Sequence, residues 1–262
     1  MATSDTHRQM CGPSVKCRCR EMKISIVVPA FNEEKLLPAS LRAINAAREA
    51  FHARGWETEL VVCDNNSTDR TADAARAEGA RVVFEPINQI SRARNAGAAA
   101  ATGDWLIFVD ADSHPSRELF SDVAEAITSG KYLAGGATVQ MDEQFAGMWL
   151  FVTLWNVISK IKKWCAGAFI FCETEAFRTI GGFSHELFVS EELDLSQRLR
   201  VFAKQRGKRL IILSRHPLVT SARKMTLYGH RAHLKFLLRT VWYRGRVFRQ
   251  REQCEIWYDG RR

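Results

Sequence analysis

The sequence predicts an α/β fold, a largely parallel sheet with helices on both faces. Three observations carry that prediction. Short β-branched runs alternate with amphipathic helical stretches from Met22 onward, as in successive βαβ units. Glycines at positions 55, 79 and 103 close the helical stretches. Polar clusters follow the apolar runs at Pro29–Glu33, Asp64–Asp69 and Asp110–Asp112. In parallel sheets ligands sit outside the carboxyl ends of the strands, so these clusters are expected to line one crevice.

The elements follow in order. Ile24–Val28 reads as a strand, and Glu33–Phe51 has helical spacing with Asn32 as an N-cap candidate. Glu59–Cys63 is a second strand, followed by a helix from a Ser67 or Thr68 cap to about Glu78. Arg81–Phe84 is a third strand, Ser91–Ala101 an Ala-rich helix, and Trp105–Val109 a buried strand ending in Asp110-Ala111-Asp112. Beyond it, Tyr132–Val139 and Ala166–Cys172 read as strands. Gly147–Ile161 reads as a Trp-rich apolar helix with Lys160, Lys162 and Lys163 at its end, and Met148–Trp155 with these lysines fits either an apolar acceptor groove or an interfacial helix. Gly181-Gly182 marks a turn, and Glu191–Phe202 is a helix with Leu193, Leu195 and Leu199 at core spacing.

Composition places the 262-residue chain among ordinary globular proteins, with a core-sized domain and room for an appendage. The net charge of +9 is uneven. From Lys204 to Arg262 there are 16 Lys/Arg against 3 Asp/Glu, so this segment carries +13 and the remainder −4. An anionic partner is expected there; the mix of basic with aromatic and aliphatic residues at Leu227–Arg251, within the basic amphipathic segment 227–262, reads either as an amphipathic helix packed on the domain or as attachment to an anionic membrane surface. No nucleic-acid module is recognisable, so nucleic acid is not an expected partner. Cysteines at 11, 17, 19, 63, 165, 172 and 254 form no disulfide framework, and Cys63 and Cys172 read as small core residues of a reducing compartment. Residues 1–21 are polar and basic with no apolar h-region, and are expected to be a disordered tail or an over-extended start. The longest apolar stretch, Phe145–Ile158, is shorter than the ~20 residues a membrane span needs.

Asp110 and Asp112 are the residues that most invite chemistry. Two carboxylates at a strand's end repel unless something positive lies between them, and a divalent cation carrying a phosphorylated ligand answers that need. The bland alternative is a polar loop with solvated aspartates.

Seven motifs fall in order along the chain: VVPAFNEE at 27–34, VVCDNNSTDRT at 61–71, ARNAG at 93–97, FVDAD at 108–112, GAFIF at 167–171, IGGF at 180–183 and EELDLSQRL at 191–199. Over about Lys23–Phe202 the chain resembles the family-2 inverting glycosyltransferases, which have the GT-A fold. The resemblance implies a GT-A catalytic domain over 22–226, with a nucleotide-binding half at 22–112 and an acceptor half at 113–226. It implies a donor that is a nucleoside-diphosphate sugar, an acceptor hydroxyl on a lipid-linked molecule or glycan, and Mg or Mn as cofactor. Pro29, Asn32, Glu33 and Asp64 fall where the family meets the nucleotide, while Asp69 suits the next helix's N-terminus. Arg94 and Asn95 match an Arg-Asn pair suited to the diphosphate or base. Asp112 is implied as the metal ligand and Asp110 as the residue that orients ribose or sugar. Gly167 leaves room for a sugar ring, His216 is a further metal-ligand candidate, and Ser221–Lys224, with Arg223, is a candidate lid on the diphosphate. The general base falls at Glu192, where most members have Asp. Glu191 is the competing candidate, and Asp194 is assigned a structural role. No Gln-x-x-Arg-Trp motif follows, which implies a single transfer rather than polymer synthesis. The expected setting is cytoplasmic, peripheral at the inner face of the membrane. A nucleotidyltransferase and a non-catalytic nucleotide-sugar-binding relative are the alternatives.

Overall fold

The computed structural model describes residues 22–143 and 148–223. The expectations for 1–21, for 227–262, for Lys224 and for Cys11, Cys17, Cys19 and Cys254 lie outside the described residues.

In chain order the elements are β1 (Lys23–Ala30), α1 (Leu37–Ala47), α2 (Glu49–His52), β2 (Glu57–Asp64), α3 (Thr71–Ala77), β3 (Arg81–Phe84), α4 (Ile90–Ala100), β4 (Trp105–Val109), β5 (Ser113–His114), α5 (Arg117–Thr128), β6 (Tyr132–Met141), α6 (Met148–Lys162), β7 (Phe169–Glu173), α7 (Thr174–Thr179), α8 (Glu191–Gln205) and β8 (Arg209–Thr220). They form an eight-stranded sheet in the order β3-β2-β1-β4-β7-β6-β8-β5. The pairings from β3 to β4 are parallel, β7 runs antiparallel to both neighbours, and β6 and β8 pair in parallel.

β1 and β4 are buried on both faces, which is why they read as mainly apolar runs rather than alternating ones, with the buried Ser25 interrupting β1. Val27, Phe108, Ile170, Leu195 and Leu199 pack in one layer, and Ile26, Ile107, Leu41, Phe51 and Phe120 in the other. Each fully buried side chain of this size contributes about 1.5–3 kcal/mol of transfer free energy. Helix α4 lies unusually close to the sheet, since a Cβ added at Gly97 would meet Val27 Cγ1 at 2.4 Å. That proximity sets how deep Arg94, one turn earlier, reaches into the molecule.

Two sequence expectations for helix starts do not hold. Helix α1 begins at Leu37 with no side-chain cap, so Asn32 is not its N-cap. Its φ of +53° turns the chain, and its side chain goes to the next strand end instead. Helix α3 begins at Thr71, later than the proposed Ser67 or Thr68 cap. Asp69 serves that end, accepting from the Thr71 backbone N–H at 2.9 Å and from the Thr71 hydroxyl.

Candidate functional site

The strand register brings the polar clusters level. Ala30 pairs with Asp64 across β1 and β2, and Val27 pairs with Phe108 of β4. The Asp110 N–H donates to Ala168 O at 3.2 Å, which sets the DAD loop beside the start of β7. The Ser221 N–H donates to Asp112 O at 3.2 Å, bringing the end of β8 to the same edge.

The first two loops are knitted together. The Asn32 N–H donates to Ser67 Oγ at 3.0 Å, and Asn32 Oδ1 accepts from the Thr68 N–H at 2.8 Å. The Glu34 N–H donates to Asp69 Oδ2 at 3.2 Å, and Glu34 Oε2 accepts from the Arg70 N–H at 3.1 Å. Asp64 is buried and accepts from the Ser67 N–H at 3.0 Å, and Pro29 is buried in β1 opposite Cys63. Between these loops opens a cleft of about 360 Å³ lined by Asn32, Glu33, Thr68, Asp69 and Arg223.

Arg223 spans the mouth of that cleft. Its guanidinium grips Glu33 through two bonds, 3.0 and 2.8 Å, and comes within 3.6 Å of Asp112 Oδ2. Burial opposes its charge, and the Glu33 bond and the Glu33 and Asp112 charges more than offset this, so its pKa rises. The paired carboxylates are thus set where a cation is held.

The second cluster is built around Arg94, which is 1% exposed. Nη1 donates to Glu191 Oε1 at 2.6 Å, and Nη2 donates to Asp110 Oδ1 at 2.9 Å and to Gly167 O at 2.8 Å. The guanidinium also lies over the Phe183 ring, 5.2 Å from its centroid. Arg94, expected at the diphosphate or base, thus has both terminal nitrogens bonded to protein acceptors, of which Glu191 is buried and Asp110 and Gly167 are part-buried. Asn95 is likewise turned elsewhere. It accepts from the Phe183 N–H and donates to Phe183 O, both at 2.9 Å, and contacts His185 Nε2 at 2.8 Å. It clamps the turn through Gly181 and Gly182.

Helix α8 delivers the acid pair to Arg94. The residue before it, Ser190, sits in the left-handed region at φ +65°, a conformation that non-glycine residues adopt at some cost. Glu191 is buried against Arg94, whereas Glu192 is half-buried beside Gly167. A Cβ added at Gly167 would lie 3.5 Å from the Glu192 carboxyl carbon. Burial, and next the Glu191 charge, push the Glu192 carboxyl up to about 8, with Arg94 opposing. Burial also raises Glu191, with the Arg94 charge as the main counterweight. The two share one cation and titrate as a pair, with Glu191 the member locked in the ion pair. Asp194 pairs with Arg198 at 2.6 Å, and Arg198 donates to Ile180 O and Gly182 O.

His216 is the further metal-ligand candidate. It lies on β8 with Nδ1 3.1 Å from Asp122 Oδ2 of α5, and the neighbouring Arg215 pairs with the same carboxylate at 2.6 Å. The structure thus pairs His216 with Asp122 of α5. Among the described residues no group of three or more His, Cys, Asp or Glu side chains forms a complete metal cage. The donor set at Asp110 and Asp112 is hard oxygen, which suits a cation completed by ligand phosphates.

Sequence reasoning missed several positioning residues. Asn65 donates to Glu85 O and Ile87 O and accepts from the Gln89 N–H, tying the β3–α4 loop to β2. Gln89 is buried and donates to His185 O and Leu187 O, bracing the segment before α8. The signal for Asn65 was present in the unbroken polar run after β2, whereas Gln89 had none.

Comparisons with known proteins agree with this architecture. A crystal structure of S. aureus TarS superposes with a TM-score of 0.60 at 24% identity, over 78% of this chain and 61% of that one. A mannosyltransferase from Pyrobaculum calidifontis in complex with GDP-Man and Mn2+ gives 0.59 at 21% identity, over 84% and 65%. These likenesses establish the GT-A glycosyltransferase fold. An uncharacterized glycosyltransferase of Mycobacterium tuberculosis is 43% identical over 89 residues, 34% of this chain and 36% of that protein. An undecaprenyl-phosphate 4-deoxy-4-formamido-L-arabinose transferase of Enterobacter sp. is 34% identical over 112 residues, 40% and 33%. The matched stretch thus spans about a third of these curated relatives. The profile described as Glycosyl transferase family 2 matches residues 25–178. The chain belongs to glycosyl transferase family 2.

Proposed function

We propose that this protein transfers a single sugar from a nucleoside-diphosphate sugar to an acceptor hydroxyl with inversion, using Glu192 as general base. The observation that carries the reading is the division of the acid pair by Arg94. Glu191 is spent in the buried ion pair, while Glu192 stands half-buried beside Gly167 with its carboxyl pushed up to about 8. A base with a pKa near the working pH combines adequate ionisation with adequate proton affinity.

The nucleotide lies along the loops of Pro29, Asn32, Glu33 and Asp64, and the donor's sugar near Asp110 and Gly167. Asp112 would hold a divalent metal, Mg or Mn, which when bound would stabilise the negative charge developing on the leaving diphosphate. Arg223, now gripping Glu33 and close to Asp112, adds a second positive charge at that position. Glu192 takes the proton of the acceptor hydroxyl as its oxygen attacks the anomeric carbon. The bond from that carbon to the diphosphate oxygen breaks on the opposite face, and its electron pair leaves with the nucleoside diphosphate. Arg94 positions the reaction by holding Asp110, Gly167 and Glu191 at fixed distances.

The relative that acts on undecaprenyl phosphate supports a lipid-linked acceptor. The basic segment 227–262 is the part of the 22–226 plus appendage scheme assigned to an anionic membrane surface. A thermal-shift panel of nucleoside diphosphates and their sugars with Mn2+ identifies the donor, since a ligand that binds only the native state raises its stability. Donor turnover with Mn2+ and with chelator then tests the metal. Equal turnover in both, or full activity in Asp112→Ala, would remove the metal role.

A further inference from the structure

We infer that α6 is an in-plane docking helix that seats the protein on an anionic lipid surface. Leu150, Leu154, Val157 and Ile161 are 65%, 56%, 43% and 71% exposed, and their spacing places them on one helix face. Trp149 and Phe151, 68% and 59% exposed, widen that face. A contiguous apolar surface of this kind on a soluble fold marks an interaction site.

The orientation of the helix is fixed from the other side. Asn156 accepts from the Val139 N–H at 3.0 Å and donates to Val139 O at 2.9 Å, pinning α6 to β6. Ser159 donates to Trp164 O at 2.6 Å and is fully buried. The apolar stripe is therefore held away from the sheet.

Charge selects the occupant. Helix α6 contains no acidic residue, and it ends in Lys160 and Lys162 with Lys163 next in the chain. Arg200 of α8 donates to Lys162 O at 3.3 Å, and exposed Lys204 lies one turn further along α8, so the basic rim extends across both helices. Residues 224–262 carry 10 Lys/Arg against 3 Asp/Glu, the same sign as the rim. An anionic bilayer complements both. From Trp149 to Ile161 the helix extends ~18 Å, less than the ~30 Å hydrocarbon core. Among the described residues no helix is long and apolar enough to cross a membrane. An amphipathic helix with an apolar face and a lysine-rich end lies in the interface plane.

The test is co-sedimentation of the full chain with phosphatidylcholine vesicles, with and without phosphatidylglycerol. It needs no donor and no turnover, so its outcome is separate from that of the catalytic proposal. Wild-type protein is expected to bind the anionic vesicles. The double substitution Leu154→Glu, Ile161→Glu is expected to lower the bound fraction at least ~10-fold with the melting temperature preserved, since each charge must be left out of the apolar layer. Should that variant fail to fold, Lys160→Gln, Lys162→Gln, Lys163→Gln decides the matter through a loss confined to anionic vesicles. Wild-type-like vesicle binding by the folded glutamate variant overturns the inference. So does undiminished vesicle binding with a shift from dimer to monomer in light scattering, which would assign the stripe to a second copy.

Discussion

Arg94 and Glu191 form an ion pair at 2.6 Å in which the two side chains are only 2% and 4% exposed. The same guanidinium holds Asp110 and Gly167, so one buried cation joins α4, the DAD loop, the start of β7 and the head of α8. Taking such charges out of water is repaid only while the partners stay matched. Arg94→Met strands Glu191 and Asp110 beside each other and is expected to cost about 3–5 kcal/mol in urea denaturation. Arg94→Lys is expected to recover only part of this, since an ammonium cannot reproduce the forked donation.

As the proposed base, Glu192 would link catalysis and stability to pH with opposite signs. Its folded pKa is raised from 4.5 to about 8. As a base it must be ionised, so kcat/KM is expected to rise with pH along a limb well above the ordinary glutamate range. For stability, the group is protonated in both states below 4.5. As pH climbs towards about 8 the unfolded chain gives up this proton first, so the native state loses stability across that window. Glu192→Gln lacks the penalty. Its melting temperature relative to wild type is expected to climb over the same interval and level off above it.

Arg223 is expected to act on donor binding rather than on the fold. It joins Glu33 to the edge of Asp112, and its side chain is 17% exposed. Arg223→Ala should raise the donor KM by roughly 10-fold, as for loss of one charge-assisted contact to phosphate. A KM unchanged in that variant would assign Arg223 to the Glu33 contact alone.

Gly182 tests the turn that Asn95 clamps. It has φ +67°, and a Cβ there would meet Asn95 Oδ1 at 2.6 Å. Gly182→Ala is expected to destabilise by ~1–3 kcal/mol from left-handed backbone and displaced amide together. Gly181→Ala shares the positive φ but has open space around its Cβ, so the smaller loss is expected there in a paired denaturation measurement.

Much of the fold was legible because β1, β2 and β4 carry short apolar runs with polar ends, even though Ser25 interrupts β1 and Glu57, Thr58 and Glu59 open β2. The boundaries of β3 and β4 match the sequence reading residue for residue. Strand β8 and helix α5 were not read at all. The strand mixes Arg209, Ser214, Arg215 and His216 into its run, because those residues face solvent or α5 rather than a core layer. The acid pair and the aspartates were legible as types at strand and helix ends. Their partners were not, since whether Arg94 faces a ligand or a buried carboxylate depends on how closely α4 packs at Gly97. A sequence does not state that distance. The partner of His216 was hidden in the same way, since nothing in the sequence pairs it with Asp122 of α5.

The central claim is that Glu192 is the base while Glu191 is a held ion-pair partner. The most direct measurement is turnover of the identified nucleoside-diphosphate sugar by Glu192→Gln, with the divalent metal present and folding confirmed by thermal melt. The account predicts a fall of about 10²–10⁴-fold with stability equal to or above wild type. Turnover within a few-fold of wild type would contradict it.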